Sequence, residues 1–140
     1  MSTHINDTGR LIADLAAKEE PHLIGIRRDI HAHPEIGFDV ERTAGVVAQE
    51  LSRLGIEHKA GVGRTGVMGV IEGGRPVPTL LLRADMDALP ILEETGLPYA
   101  STIEGRMHAC GHDLHTSTLI GVAAVLKEIA PRLSGTVKLM

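Results

Sequence analysis

The chain has 140 residues, 43% hydrophobic and 23% charged, the composition of a folded domain rather than a disordered segment, and too short for two independent catalytic domains. Fourteen Lys and Arg against 18 Asp and Glu give a formal charge of −4. With no basic run to follow a phosphate backbone, and Phe38 and Tyr99 as the only aromatic rings besides histidine, nucleic acid is not an expected partner. A single cysteine, Cys110, excludes an intramolecular disulfide and points to a reducing, cytoplasmic setting. The N-terminus, MSTHINDTGR, lacks a signal-peptide pattern, and the longest apolar stretch, Leu119 to Leu126, is too short to span a bilayer, so no membrane partner is expected.

In chain order, Leu11, Ile12 and Leu15, then Leu23, Ile26 and Ile30, fall at helical spacing, as two short helices or one passing through Pro21. The stripe must stop at His33, because the residue before Pro34 is pushed out of the α region. From Val40, the positions Ala44, Val47, Ala48, Leu51 and Leu54 mark an amphipathic helix that Gly55 can end in a left-handed conformation. Short runs at 56–60, 67–72 and 79–85 read as strands, with Gly73 to Pro76 as the turn before the third. The continuous run Leu80-Leu81-Leu82 predicts an interior strand covered on both faces of a layered α/β sheet. A long irregular stretch, 88–111, is of the length that tends to carry function. Leu119, Val122, Ala123, Leu126 and Ala130 define a last helix stopped by Pro131, and Thr136 to Met140 begin another strand. The glycine-rich run Gly61 to Gly66 lies between two strands and opens no helix, so it is not a dinucleotide loop.

Three clusters can carry chemistry. In HACGHDLH, His108 to His115, five of eight residues are possible metal ligands: His108, Cys110, His112, Asp113 and His115. A lone Cys is usually a small buried hydrophobe and a lone His a hydrogen-bonded structural group, but five together favour a metal. Cys110 and His112, two apart in an extended loop, can aim the same way, and a thiolate with an imidazole makes half a tetrahedral site. His108 and His115 are candidates for contacts to substrate or to the ligands. The second cluster, Asp85 and Asp87 in Arg83-Ala84-Asp85-Met86-Asp87, sits at the carboxyl end of the apolar strand, where α/β sheets bind ligands. These carboxylates suit a cation or the orientation of a ligating imidazole; the plainer role is to solvate a turn. The third, His31-Ala32-His33-Pro34-Glu35, is read as histidines meeting the last carbonyls of a helix. Arg27-Arg28 and Glu93-Glu94 are read as solvated charges.

The segments RRDIHAHPEIGF (Arg27 to Phe38), LLRADMDALPI (Leu81 to Ile91) and MHACGHDLHT (Met107 to Thr116) together resemble the N-terminal part of the M20 metallopeptidase family, in the amidohydrolase branch of hippurate hydrolases and indole-acetyl-amino-acid hydrolases. The resemblance implies an α/β catalytic domain with a layered sheet and flanking helices, of which residues 1–140 are an incomplete N-terminal portion lacking the inserted dimerisation domain. It makes Cys110 and His112 metal ligands of a two-metal site and Asp87 the aspartate that orients the site; the thiolate suits Zn and the carboxylates tolerate Mn, so either ion is expected. Asp85 falls where other branches place a ligating histidine, which implies that the Cys110 thiolate takes over that role; Asp113 and His115 match motif positions without an assigned role. The resemblance places a glutamate general base and further ligands beyond Met140, so this segment alone is expected to be inactive. The expected activity of the intact protein, a homodimer, is hydrolysis of the amide bond of a small N-acyl amino acid, as in hippurate hydrolases and aminoacylases. The alternatives are a deacetylase or deacylase of a biosynthetic amino-acid intermediate, and a metal-binding module without catalysis.

Overall fold

The computed structural model describes residues 3–75 and 77–140, without the side chains of 3–6; Met1, Ser2 and Pro76, the last residue of the expected turn, lie outside the described residues. Helix α1, Thr3–Ala32, is one helix containing Pro21, and it ends before His33 as the following proline requires. Helix α2, Glu41–Arg53, closes at Gly55, whose φ of 63° is the left-handed conformation expected there, with the Ile56 N–H returning to the Leu51 carbonyl at 2.9 Å.

Strands β1, Glu57–Val62, and β2, Gly66–Glu72, form an antiparallel hairpin; β3, Thr79–Leu82, is followed by the irregular stretch, helix α3, His112–Glu128, a 3-10 turn at Ala130–Arg132, and β4, Thr136–Leu139. The sheet order is β1-β2-β4-β3. Strand β4 runs antiparallel to β2 and parallel to β3, so α3 is the crossover that a parallel pair needs. Alternation along β2 puts Val67 and Ile71 on the buried face, where with Val137 and Leu139 of β4 they meet Leu51 of α2, Ile56 and Ala123 of α3. Gly69 falls on the same face by that alternation, and a β-carbon there would stand 3.2 Å from the Leu51 side chain. A second cluster, Ile26 and Ile30 with Ile120, joins α1 to α3. No helix among the described residues is long and apolar enough to cross a membrane.

One expectation fails. Strand β3 is at the sheet edge rather than inside it, and Leu80 and Leu81 are each 53% exposed. Its apolar run has the composition of a doubly covered strand, but the described residues supply a partner on one side only, β4. The irregular stretch after β3 is nonetheless well anchored. Ala88 pairs with Ile36, Leu89 with Met107, and the Thr102 N–H and hydroxyl both donate to the Ala32 carbonyl at the end of α1.

Glu35 has a role that its place in the HAHPE segment did not announce. Its carboxylate accepts the N–H of Arg42 at 3.0 Å and the N–H and hydroxyl of Thr43 at 2.7 and 2.8 Å, so it caps α2 from outside the helix, where Val40 offers no capping side chain. Because a lost cap costs about 1–2 kcal/mol, Glu35→Ala should lower stability by about that amount without changing the fold. Urea unfolding of the protein followed by circular dichroism checks this.

Candidate metal centre

The βαβ crossover brings two backbone ends together: the chain leaving β3 through Arg83 to Asp87, and the chain entering α3 at His112. Cys110 and His112 were expected to share an extended loop. Instead Gly111 adopts a left-handed conformation, φ 82°, and His112 is the first residue of the helix. A side chain at Gly111 would be strained there, so glycine permits the abrupt entry. The Thr116 hydroxyl, one turn on, donates to the Asp85 carbonyl at 2.9 Å and ties the two segments.

The His112 ring is oriented by Asp87. Its Nδ1 lies 2.8 Å from the Asp87 carbonyl oxygen and 3.1 Å from Asp87 Oδ1. A carbonyl can only accept, so Nδ1 carries the proton and the lone pair stays on Nε2. Nε2 lies 4.0 Å from Asp85 Oδ2. His115, three residues further along the same helical face, stacks on His112 with ring centroids 5.6 Å apart. One ligand atom from each of Asp85, His112 and His115 lies within 4.8 Å of the others. A carboxylate and two imidazoles, one with its proton fixed on the far nitrogen, form a donor set that fits a divalent cation. Asp85 also pairs with Arg83. Behind Asp85 and Asp87 a cavity of about 320 Å³ is walled by Phe38, Val47, Leu51, Met86 and Leu119, an apolar backing to the polar rim.

Of the residues marked in the sequence, His112 and Asp87 are therefore in contact. Cys110 is exposed, in the turn before Gly111, and stands outside the group of three. Asp85 and His115, which had no settled role, are inside it. His108 is 4% exposed, and neither ring nitrogen has a hydrogen-bond partner. Burial pushes its imidazole below the ordinary value, helped by the charges of His31, His112 and Arg27 against the opposing pull of Asp113.

The remaining motif residues form a buried ionic chain. Asp113 is wholly buried, and its Oδ2 lies 2.7 Å from His31 Nδ1 and 3.0 Å from Arg27 Nε. His31 Nε2 lies 3.2 Å from Glu93 Oε1, and Glu93 also accepts the Ser101 N–H at 2.6 Å. Burial alone would raise the Glu93 carboxyl; hydrogen bonds from Thr95, Ser101 and His31 outweigh it and hold it below its ordinary value. The reading of Arg27 and Glu93 as solvated charges is thus corrected. Arg28 keeps its guanidinium over the Tyr99 ring at 5.0 Å. His33 does meet a helix-end carbonyl, that of Asp29 at 2.7 Å, whereas His31 turns inward. The signal for this was present in α1: Arg27 and His31 are four residues apart, beside the apolar positions Leu23, Ile26 and Ile30.

Because the folded state disfavours charged His108, protons bind the unfolded chain more readily below the ordinary imidazole value of 6.5. The contribution of His108 to stability is present above that value and is lost as pH falls through the lowered one. Replacing His108 with Asn should make stability between pH 7 and pH 5 fall less steeply than in the unaltered protein, as measured by urea midpoints at each pH.

A sequence model of "Peptidase family M20/M25/M40" matches residues 81–140, the stretch that contains Asp85, Asp87, His112 and His115. Arabidopsis thaliana IAA-amino acid hydrolase ILR1-like 5 is 43% identical over 99% of the chain and 32% of its own length. Bacillus subtilis N-acetyl-L-cysteine deacetylase is 46% identical over 86% of the chain and 29% of its own length. The crystal structure of Bacillus subtilis YXEP, described as a dinuclear metal binding peptidase from the M20 family, superposes with a TM-score of 0.82 at 43% identity, covering 85% of the chain and 34% of that protein. The chain spans about a third of the length of the curated relatives it matches. From its matched segment, its relatives and its α/β fold, the chain belongs to the M20/M25/M40 peptidase family.

Proposed function

We propose that the protein of which this chain forms a part is a divalent-metal-dependent amidohydrolase that cleaves the amide bond of small N-acyl amino acids. The observation that carries this reading is the His112 ring, whose Nδ1 is held by Asp87 while Nε2 lies toward Asp85, in a cluster that His115 completes. The relatives' names add the chemistry: an amino acid conjugate hydrolase, an N-acetyl amino acid deacetylase and a dinuclear metal binding peptidase.

In this reading His112 binds the metal through Nε2, with Asp85 or His115 and the Cys110 thiolate as further donors from this chain. Asp87 keeps His112 in the ligating tautomer and is the residue here that tunes its basicity. A bound divalent cation supplies polarisation of the scissile carbonyl and a lowered pKa for water. Thiolate and imidazole donors suit Zn and the carboxylates tolerate Mn, and two ions are proposed for the whole protein. The general base and remaining ligands would come from the rest of the protein, which is proposed to be a cytoplasmic homodimer.

The deacetylase name of one relative favours a second acyl preference, acetyl over benzoyl. Assaying the full-length protein on N-benzoyl and N-acetyl amino acids separates the two readings. Removing metal with a chelator should abolish hydrolysis, and added Zn or Mn should restore it. His112→Ala and Cys110→Ala should each lower bound metal and kcat sharply, and Asp87→Asn should weaken metal binding by about 10- to 100-fold. Wild-type metal content and turnover in both His112→Ala and Cys110→Ala would sink the site assignment; an active protein indifferent to chelation would sink the reaction class.

A further inference from the structure

The buried chain Glu93–His31–Asp113–Arg27 ends one residue from His112, and cohesion between the helices does not rest on it alone. Ile26, Ile30 and Ile120 already join α1 to α3. A buried ion pair adds little net stability, because desolvation of its charges offsets their attraction. What directed bonds add is orientation. Asp113, with no exposed surface, points its Oδ2 at two donors of α1, so the first turn of α3 cannot rotate about its axis without stranding a buried carboxylate. Successive helical residues point about 100° apart. The first turn is thus held from two directions, by Asp87 on His112 and by α1 on Asp113.

The chain is also wired to the loop. Both nitrogens of the His31 ring face carboxylates, Asp113 Oδ2 at 2.7 Å on one side and Glu93 Oε1 at 3.2 Å on the other, so the ring bridges the two acids. Glu93 passes the constraint to the loop through the Ser101 N–H, and Tyr99 from that loop packs edge-on against His31 and under the Arg27 guanidinium, 5.1 Å from its ring centroid. A segment with neither helix nor strand is thereby locked to the helix turn that carries His112 and His115.

We propose that Arg27, His31 and Glu93 are positioning residues for the metal centre, acting through Asp113 to set the direction of His112 and His115. This rests on the metal-dependent reading above.

The test uses the full-length protein stripped of metal and titrated with Co2+, whose d–d absorption reports the ligand field directly. His31→Asn should lower Co2+ affinity by about 10- to 100-fold and alter the position or intensity of the band. Arg27→Gln, at a side chain that is 27% exposed and therefore easier to replace without unfolding, should move both readouts in the same direction by a smaller factor. Thermal unfolding of each variant is followed in parallel, and Arg27→Gln alone decides the matter if His31→Asn does not fold. A variant that melts earlier yet keeps the wild-type band and affinity shows that the chain is only a fastener, and overturns the proposal. Absence of Co2+ binding by the unaltered protein would instead defeat the metal reading itself, and this inference with it.

Discussion

A carboxylate with no exposed surface must be paired, and at Asp113 that requirement organises the protein around it. Its partners, His31 and Arg27, lie more than 80 residues away in sequence, on α1. Meeting them sets the helix α3 against α1 at one rotation, with Ile120 over Ile26 and Ile30, and draws the loop in through Glu93 and Tyr99. The apolar contacts are non-directional and supply cohesion. The ionic contacts are directional and select one arrangement among those the apolar contacts would allow.

The same division of labour holds at the candidate metal centre. The parallel pairing of β3 with β4 obliges the chain to cross over through α3, which places the carboxyl end of β3 beside the start of that helix. Within that frame, Gly111 permits the sharp entry, Thr116 ties α3 to the Asp85 backbone, and Asp87 chooses the His112 tautomer. Asp85, His112 and His115 then converge from two segments that hydrogen bonds to the Asp85 and Asp87 carbonyls tie to each other. Donor groups held in this way would need little reorganisation to bind a cation.

Much of this was legible along the chain because it rests on local chemistry. The stop at His33 follows from Pro34, the end of α2 from Gly55, and the hairpin strands from glycine-punctuated apolar runs. The cluster HACGHDLH stands out by ligand density alone, and the family resemblance of its flanking motifs agrees with the fold and the relatives. Other roles were hidden because they are pairings. Glu35 reads as one more acid after a proline, yet it caps α2; Arg27 and Glu93 read as surface charges, yet each is half of a buried or partly buried bond. Leu80 and Leu81 erred in the opposite direction, since a strand's composition records what it is suited to be covered by, while exposure depends on which elements are beside it.

The sequence by itself determined the elements, the family and the residue types available for coordination, because helix stops, strand alternation and ligand chemistry are properties of a few neighbouring residues. Only the tertiary structure decided which of those groups meet. Whether an Asp solvates a turn or faces an imidazole, and whether a histidine caps a helix or bridges two acids, depends on contacts across tens of residues, whose selection is a matter of packing and charge pairing that no local window contains.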